Sequence, residues 1–220
     1  MQSVTIEFAG LPNTGKTTLI KGLSKELPKA GISVTVLRES AEVVPVAIPK
    51  KTWDRNMWTT FHSLQDLVLA KHVGTDVVLI DRSYYDAVFW AEFMKKNNLC
   101  SSSEYNAMSS ILRSCDNLCL KPDFIFLLNC SIEVSLKRRL AQAGLPAPIY
   151  STDEFLSAYQ QELLRFFKGF EKSMSYFYLD TTFLSEDMVV QMAKARILEL
   201  FESKWWRWVR NILKAHDLSH

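Results

Sequence analysis

The chain runs Gly10-Leu11-Pro12-Asn13-Thr14-Gly15-Lys16-Thr17-Thr18, a complete GxxxxGK[ST] loop. No other stretch limits its fold as tightly. Glycines at the two fixed positions accept backbone angles closed to other residues, so successive N–H groups can turn inward around a phosphate. Such a loop leaves a strand and opens a helix, whose free amides and positive dipole end favour anions. Both flanks meet that demand. Val4 to Phe8 is a β-rich run, and Leu19, Ile20, Leu23 and Leu27 recur at helical spacing before Gly31. Lys16 is then set to reach the β- and γ-phosphates of a bound nucleotide, and the Thr17 hydroxyl to ligate Mg²⁺.

Strand-like and helix-like segments alternate through the remainder. Ser33 to Leu37, Val77 to Ile80, Phe124 to Leu128 and Phe177 to Leu179 read as strands. Helical patterns cover Asp54–His72, Tyr84–Lys96, Ser102–Cys115, Ser131–Ala143, Asp153–Lys172 and the stretch from Ser185 onward, with a loop at Gly144 to Pro148. Alternation of this kind implies an α/β fold of three layers, a roughly five-stranded parallel sheet with helices on both faces. Ligands on such sheets bind beyond the carboxyl ends of the strands. At 220 residues one domain is expected, spanning 1–220. A net charge of +2 gives no support for wholesale electrostatic binding of nucleic acid. The four cysteines, Cys100, Cys115, Cys119 and Cys130, form no CxxC pair and read as thiols in a reducing compartment. Met1-Gln2-Ser3-Val4 has no leader-like character, and no apolar run approaches the roughly 20 residues that span a bilayer. A cytoplasmic protein without a transmembrane segment is expected.

Two further places carry chemistry. Asp81 ends a buried-type strand, where an acid beside a phosphate loop can hold Mg²⁺ directly or through water. Arg82 follows it and would point into the cleft, able to grip a phosphate bidentately. On the Asp54–His72 helix, Trp58, Phe61 and Gln65 share one face. Two aromatics and an amide suit a planar base, and they equally suit plain core packing. Tyr84, Tyr85 and Asp86 either line the same pocket or, for Asp86, complement a helix dipole. The histidines His62, His72, His216 and His220 show no metal-ligand spacing.

Taken in order, Gly10 to Thr18, Arg38-Glu39, Asp81-Arg82-Ser83, Pro122-Asp123 to Leu128 and Lys137-Arg138-Arg139 resemble the thymidylate kinase and deoxynucleoside kinase branch of the P-loop kinases, over roughly residues 3 to 200. The resemblance implies strand order 2-3-1-4-5, Mg-ATP as donor, and a nucleoside or nucleoside monophosphate as acceptor. It implies that Gly10 to Thr18 cradle the donor, that Thr17 and Asp81 hold Mg²⁺, and that Thr181 and Thr182 lie in the loop that contacts adenine. It implies that Arg82, with Arg138 or Arg139, stabilises the transferring group, and that Glu39 or Asp81 takes the acceptor proton. Arg38 and Arg55 are the candidates for holding an acceptor that is already a phosphate. The sequence departs from the branch at Ser40-Ala41-Glu42 and in the lid, about 138–152, where Gly144-Leu-Pro-Ala-Pro148 replaces an Arg-rich stretch. The acceptor therefore stays open.

Near the end, Leu198, Phe201, Trp205, Trp208 and Ile212 alternate with Lys204, Arg207, Arg210 and Lys214. This basic, Trp-rich helix, about 203–215, is expected to pack on its own domain. A homodimer contact, an anionic membrane or a nucleic acid are the alternatives. Two rival functions stand beside the kinase reading: a regulatory ATPase or nucleotide switch without a small acceptor, and a nucleic-acid end kinase.

Overall fold

In a computed structural model, residues 3–49, 52–118, 120–141, 153–169 and 175–217 are described, with side chains through 202. Strand β1 (Val4–Gly10) is buried at every position, as a central strand must be. It feeds the phosphate loop and then α1 (Lys16–Lys29). The order continues β2 (Val34–Leu37), a short 3₁₀ turn (Ser40–Glu42), α2 (Trp53–Ala70), β3 (Val77–Asp81), α3 (Tyr84–Lys96) and α4 (Ser102–Asn117). It closes with β4 (Phe124–Asn129), α5 (Ile132–Ala141), α6 (Asp153–Gly169), β5 (Tyr176–Asp180) and α7 (Glu186–Asp217). The sheet order is β2-β3-β1-β4-β5 and every neighbouring pair is parallel, as expected.

Alternation along β1 sorts its side chains between two cores. Val4, Ile6 and Phe8 face α1 and α7, joined by Leu79, Phe126 and Ala193. Phe8 stacks on Phe126 with ring centroids 5.3 Å apart, and burying a ring of this size contributes about 1.5–3 kcal/mol. Ala9 faces the other core with Ile80 and Ile125, which α3, α4 and α6 cover through Phe89, Leu112 and Tyr159. The α1–α7 contact is close because residue 22 is glycine. A Cβ there would lie 2.4 Å from Val190 Cγ2.

Register sets the site. Phe8 pairs with Asp81 and Gly10 with Leu128, so the loops leaving β1, β3 and β4 emerge at one edge of the sheet. Helix α4 starts on a reciprocal cap, with Ser101 accepting from the Glu104 amide and Glu104 from the Ser101 amide. The Gly144 to Pro148 lid segment and the expected helix ends at Ala143 and Lys172 lie outside the described residues. So do the side chains of the Trp-rich stretch, although the α7 backbone is helical to Asp217. Among the described residues no helix is long and apolar enough to cross a membrane.

Candidate active site

The phosphate loop is shaped by residues with positive φ. Gly10 has φ +144°, and a Cβ there would sit 2.1 Å from the Leu128 carbonyl oxygen. Gly15 opens α1 in the left-handed region, which only glycine enters freely. Leu11 is buried in the core, so it offers the loop only its backbone. Thr14 turns its hydroxyl back onto the Leu11 carbonyl at 3.0 Å. Thr18, like Thr17, is an exposed residue of the first turn of α1.

Lys16 is buried, and its ammonium donates to the carbonyls of Leu11 at 2.7 Å and Gly10 at 3.2 Å. Burial first, then the Arg82 charge, push its pKa down to about 8, against the pull of Asp81, Glu39 and Asp86. The Thr17 hydroxyl donates to Asp81 Oδ2 at 2.7 Å. Asp81 Oδ1 is buried with no hydrogen-bond partner. A hydroxyl and a carboxylate with an unsatisfied oxygen form a hard donor set that fits Mg²⁺.

The outer side of the loop is tied down from α5 and from the turn after β5. Ser135 donates to the Pro12 carbonyl at 3.0 Å. Arg138 donates to the Thr14 carbonyl at 3.3 Å and to the Thr181 hydroxyl and carbonyl at 2.9 and 2.7 Å. Its guanidinium therefore braces the loop, rather than reaching across it toward a transferring group. Arg139 follows on α5, half-buried. Thr181 stands against the loop, its hydroxyl 3.0 Å from the Thr14 carbonyl, while Thr182 accepts from the Ser131 amide.

Between the loop and a cavity of about 690 Å³ stands a charged group of three. Arg82 has left-handed backbone, φ +61°, and its side chain is a hub. Nη2 donates to the Gly10 carbonyl at 3.1 Å, and Nη1 to Asp86 Oδ1 at 2.6 Å and to the Tyr159 hydroxyl at 3.4 Å. Glu39 Oε1 lies 3.1 Å from Nε but off the N–H axis, so this buried donor has no hydrogen bond. Burial opposes the charge on Arg82, but Asp86, Tyr159 and Glu39 outweigh it and hold the guanidinium well above its ordinary value. Burial raises the Glu39 carboxyl above the usual range, against the pull of Arg82.

The cavity has two unlike walls. Helix α2 contributes Arg55, Asn56, Thr59, Thr60 and Ser63, and α3 and α6 contribute Trp90, Phe93, Phe155 and Tyr159. The Trp90 and Tyr159 rings are 5.4 Å apart, and Trp90 and Phe93 5.5 Å. Asn56 Nδ2, Thr60 Oγ1 and Ser83 Oγ all line this space buried and without a hydrogen-bond partner. Such atoms cost stability unless something polar meets them.

Several expected residues are not in this cavity. Trp58 stacks on His62 with centroids 5.1 Å apart, and Phe61 and Gln65 point outward, Phe61 being 42% exposed. The stripe they form is real but lies on the other side of α2. Tyr85 is buried in the core against Tyr84 and does not line the cavity. Arg38 is exposed, away from the lining. Arg55 does line it, with its guanidinium held by the carbonyls of Ile48 and Ala41 at 3.4 and 3.3 Å. Asn56, Trp90 and Tyr159 escape the sequence reading. For Trp90 a signal existed, since Asp86, Trp90, Phe93 and Asn97 share one face of α3. Glu7, the one acid within the buried strand β1, escapes it too.

No family model matches the chain, and no curated protein matches it in sequence. Solved structures do match in fold. A deoxyadenosine kinase from M. mycoides with bound dCTP aligns with a TM-score of 0.70 at 16% identity, covering 89% of this chain and 99% of that chain. The same kinase with the products dCMP and a flexible dCDP gives 0.69 at 16%, over 89% and 99%. With bound dATP it gives 0.67 at 16%, over 88% and 98%. What is shared at this identity is the fold.

Proposed function

We propose that this chain transfers the γ-phosphoryl group of ATP to a hydroxyl of a nucleoside. The carrying observation is the Glu39–Arg82–Asp86 group, set between a complete phosphate loop and a cavity with one aromatic and one polar wall. The reading is supported by the fold shared with a deoxyadenosine kinase whose structures hold dCTP, dATP or dCMP.

In this account the loop amides and Lys16 bind the donor phosphates. Thr17 and Asp81 would hold Mg²⁺, which supplies charge neutralisation on the phosphate oxygens when bound. Arg82 offers its unbonded Nε–H to the transferring group. The acceptor oxygen attacks the γ-phosphorus, the bond to the β–γ bridging oxygen breaks, and ADP leaves with that electron pair. The acceptor proton goes to Glu39. Its pKa, raised by burial, brings this carboxylate nearer the working pH of a general base. Asp81 is turned toward Thr17 and is absent from the cavity lining, and Asp86 is bonded to the Arg82 guanidinium, which supports Glu39 over either as the base.

Charge favours a hydroxyl over a phosphate acceptor. Both carboxylates of the group flank the one guanidinium at the cavity floor, and an acceptor phosphate would meet both. Arg55 is committed to backbone carbonyls and Arg38 lies outside. The volume falls within the roughly 300–1,000 Å³ of small-molecule sites. A base would lie along Trp90 and Phe93 and meet the free amide of Asn56.

ADP formation from Mg-ATP, measured against nucleosides and nucleoside monophosphates, tests the proposal. Nucleosides are expected to raise turnover about tenfold or more, and Lys16→Ala to abolish the rise. Stimulation by monophosphates alone, or by neither class, would refute it.

A further inference from the structure

We infer that Glu7 is a positioning residue for Arg82, holding from the middle of β1 the β3–α3 turn that aims the guanidinium between the phosphate loop and the cavity. Its kinetic consequence rests on the phosphoryl-transfer reading, while its structural consequence does not.

Glu7 is 0% exposed. Its Oε1 accepts from the amides of Ser83 at 3.0 Å and Asp86 at 2.8 Å, and its Oε2 from the amide of Tyr85 at 3.0 Å. These are N–H groups that open α3 and have no intrahelical partner. A helix ordinarily satisfies them with its own cap residue or with water. Ser83 stands at the cap position but makes no side-chain cap bond, and its hydroxyl is itself unpartnered. Ser83, Tyr85 and Asp86 are all buried. The acceptor therefore comes from a neighbouring strand, as an anion at the positive end of the helix.

The clamp acts on the segment that carries the chemistry. Arg82 precedes the first bonded amide, and Asp86, which pairs with the Arg82 guanidinium, is the last. Arg82 holds φ +61°, a conformation that a non-glycine residue keeps only when its surroundings impose it. Here the impositions are its own amide bonded to the Phe8 carbonyl at 3.1 Å on one side and the Glu7 clamp on the other. Both come from β1, the strand that also ends in the phosphate loop. One strand thus sets the loop and the arginine relative to each other.

A carboxylate suits three donors better than any neutral group of its size. Protonation, or an amide in its place, turns one acceptor into a donor aimed at an N–H. Burial raises the Glu7 pKa to about 7, with the Asp86 charge adding to the rise and the three amide bonds opposing it. The other titratable groups that feel Glu7 are Tyr84 and Tyr85 of the same turn. Its register partners on β3 and β4 are Ile80 and Ile125, which carry no charge.

The test compares wild type, Glu7→Gln, Arg82→Lys and the double variant. In ¹⁵N spectra, Glu7→Gln is expected to move the Arg82 Nε–H signal and the amides of Ser83, Tyr85 and Asp86, leaving Gly15 in place. With a stimulating nucleoside, kcat is expected to fall about tenfold while the KM for ATP stays within about twofold. The double variant is expected to be no slower than Arg82→Lys alone. If Glu7→Gln does not fold, Glu7→Asp, which keeps the charge but draws it back by one methylene, takes its place and is expected to move the same three amides and Arg82 Nε–H. An unmoved Arg82 signal in the variant that folds, or independent losses in the double variant, would each overturn the inference. If no nucleoside is turned over, the kinase reading fails, and the spectra judge the positioning role separately.

Discussion

Lys16 gives the sharpest quantitative consequence of this site. Its ammonium is buried against two carbonyls beside Arg82, and its pKa falls to about 8 from 10.5. The folded, unliganded protein thus binds this proton less tightly than an unfolded chain does. A polyphosphate placed in the loop adds negative charge next to the ammonium and restores the charged form. Nucleotide binding must then take up protons. At pH 8 about half the free protein lacks the proton, so uptake is about 0.5 per nucleotide, falling to about 0.1 at pH 7 and rising to about 0.9 at pH 9. Above pH 8 the affinity weakens by up to about tenfold per unit, or about 1.4 kcal/mol. Calorimetry of ADP binding at pH 8 in buffers of different ionisation enthalpy measures the uptake directly, because the slope of heat against that enthalpy is the proton count. The phosphates of ADP are already ionised at this pH. Tight binding with uptake near zero at pH 8 would show that Lys16 does not meet the phosphates as a buried, depressed amine, and would refute the reasoning.

Three other outcomes follow from the geometry. Asp81→Asn removes the charge from the acceptor of the Thr17 hydroxyl. A Mg²⁺ titration of turnover should then show half-saturation raised about tenfold or more, and an unchanged titration would remove Asp81 from the metal site. Gly22→Ala puts a Cβ 2.4 Å from Val190 Cγ2, so denaturant melts should show a loss of about 1–3 kcal/mol, largely recovered in Gly22→Ala with Val190→Ala. Glu7, raised from 4.5 to about 7 on folding, gives a signed pH dependence. Between those values the folded state holds the extra proton, so the Glu7 contribution to stability falls as pH rises, by about 3 kcal/mol up to pH 8. The difference between wild type and Glu7→Gln in melts at pH 4.5 and pH 8 should carry that slope, and a flat difference would contradict it.

Much of this molecule is legible in its residues, for reasons that differ by element. The inner strands Val77–Asp81 and Phe124–Asn129 read directly because they are buried on both faces and so open as continuous apolar runs, while Val4–Gly10, equally buried but interrupted by Thr5 and Glu7, reads from its place before the phosphate loop. Tyr84–Lys96 matches its observed bounds because Ser83 and Asn97 end the pattern on each side. Thr17 and Asp81, expected as Mg²⁺ ligands from the loop motif and from an acid at a strand end, are brought by the structure within a hydrogen bond of each other. The cavity was not. Periodicity locates a stripe on α2 but does not say which stripe faces a neighbour. The wall turned toward Trp90 is made of Asn56, Thr59, Thr60 and Ser63, which look like a solvated face. The stripe with Trp58 and Phe61 is outward, although its aromatics suggest the reverse. Glu7 failed for a related reason. A single acid in a strand becomes meaningful only when tertiary placement sets three unpaired amides against it. The bonds of Arg138 were not legible, since a basic residue near a lid does not reveal that the Thr14 and Thr181 carbonyls hold its guanidinium.

The central claim is that the group around Arg82 passes a phosphoryl from the loop to a hydroxyl in the cavity. The most direct measurement is the fate of labelled γ-phosphate from Mg-ATP, scored as nucleoside-bound or free phosphate, in wild type and Glu39→Gln. The account predicts label on the nucleoside in wild type, and a loss of about 100-fold or more in Glu39→Gln with ADP binding retained. Label released only as free phosphate, or transfer undiminished without the Glu39 carboxylate, would contradict it.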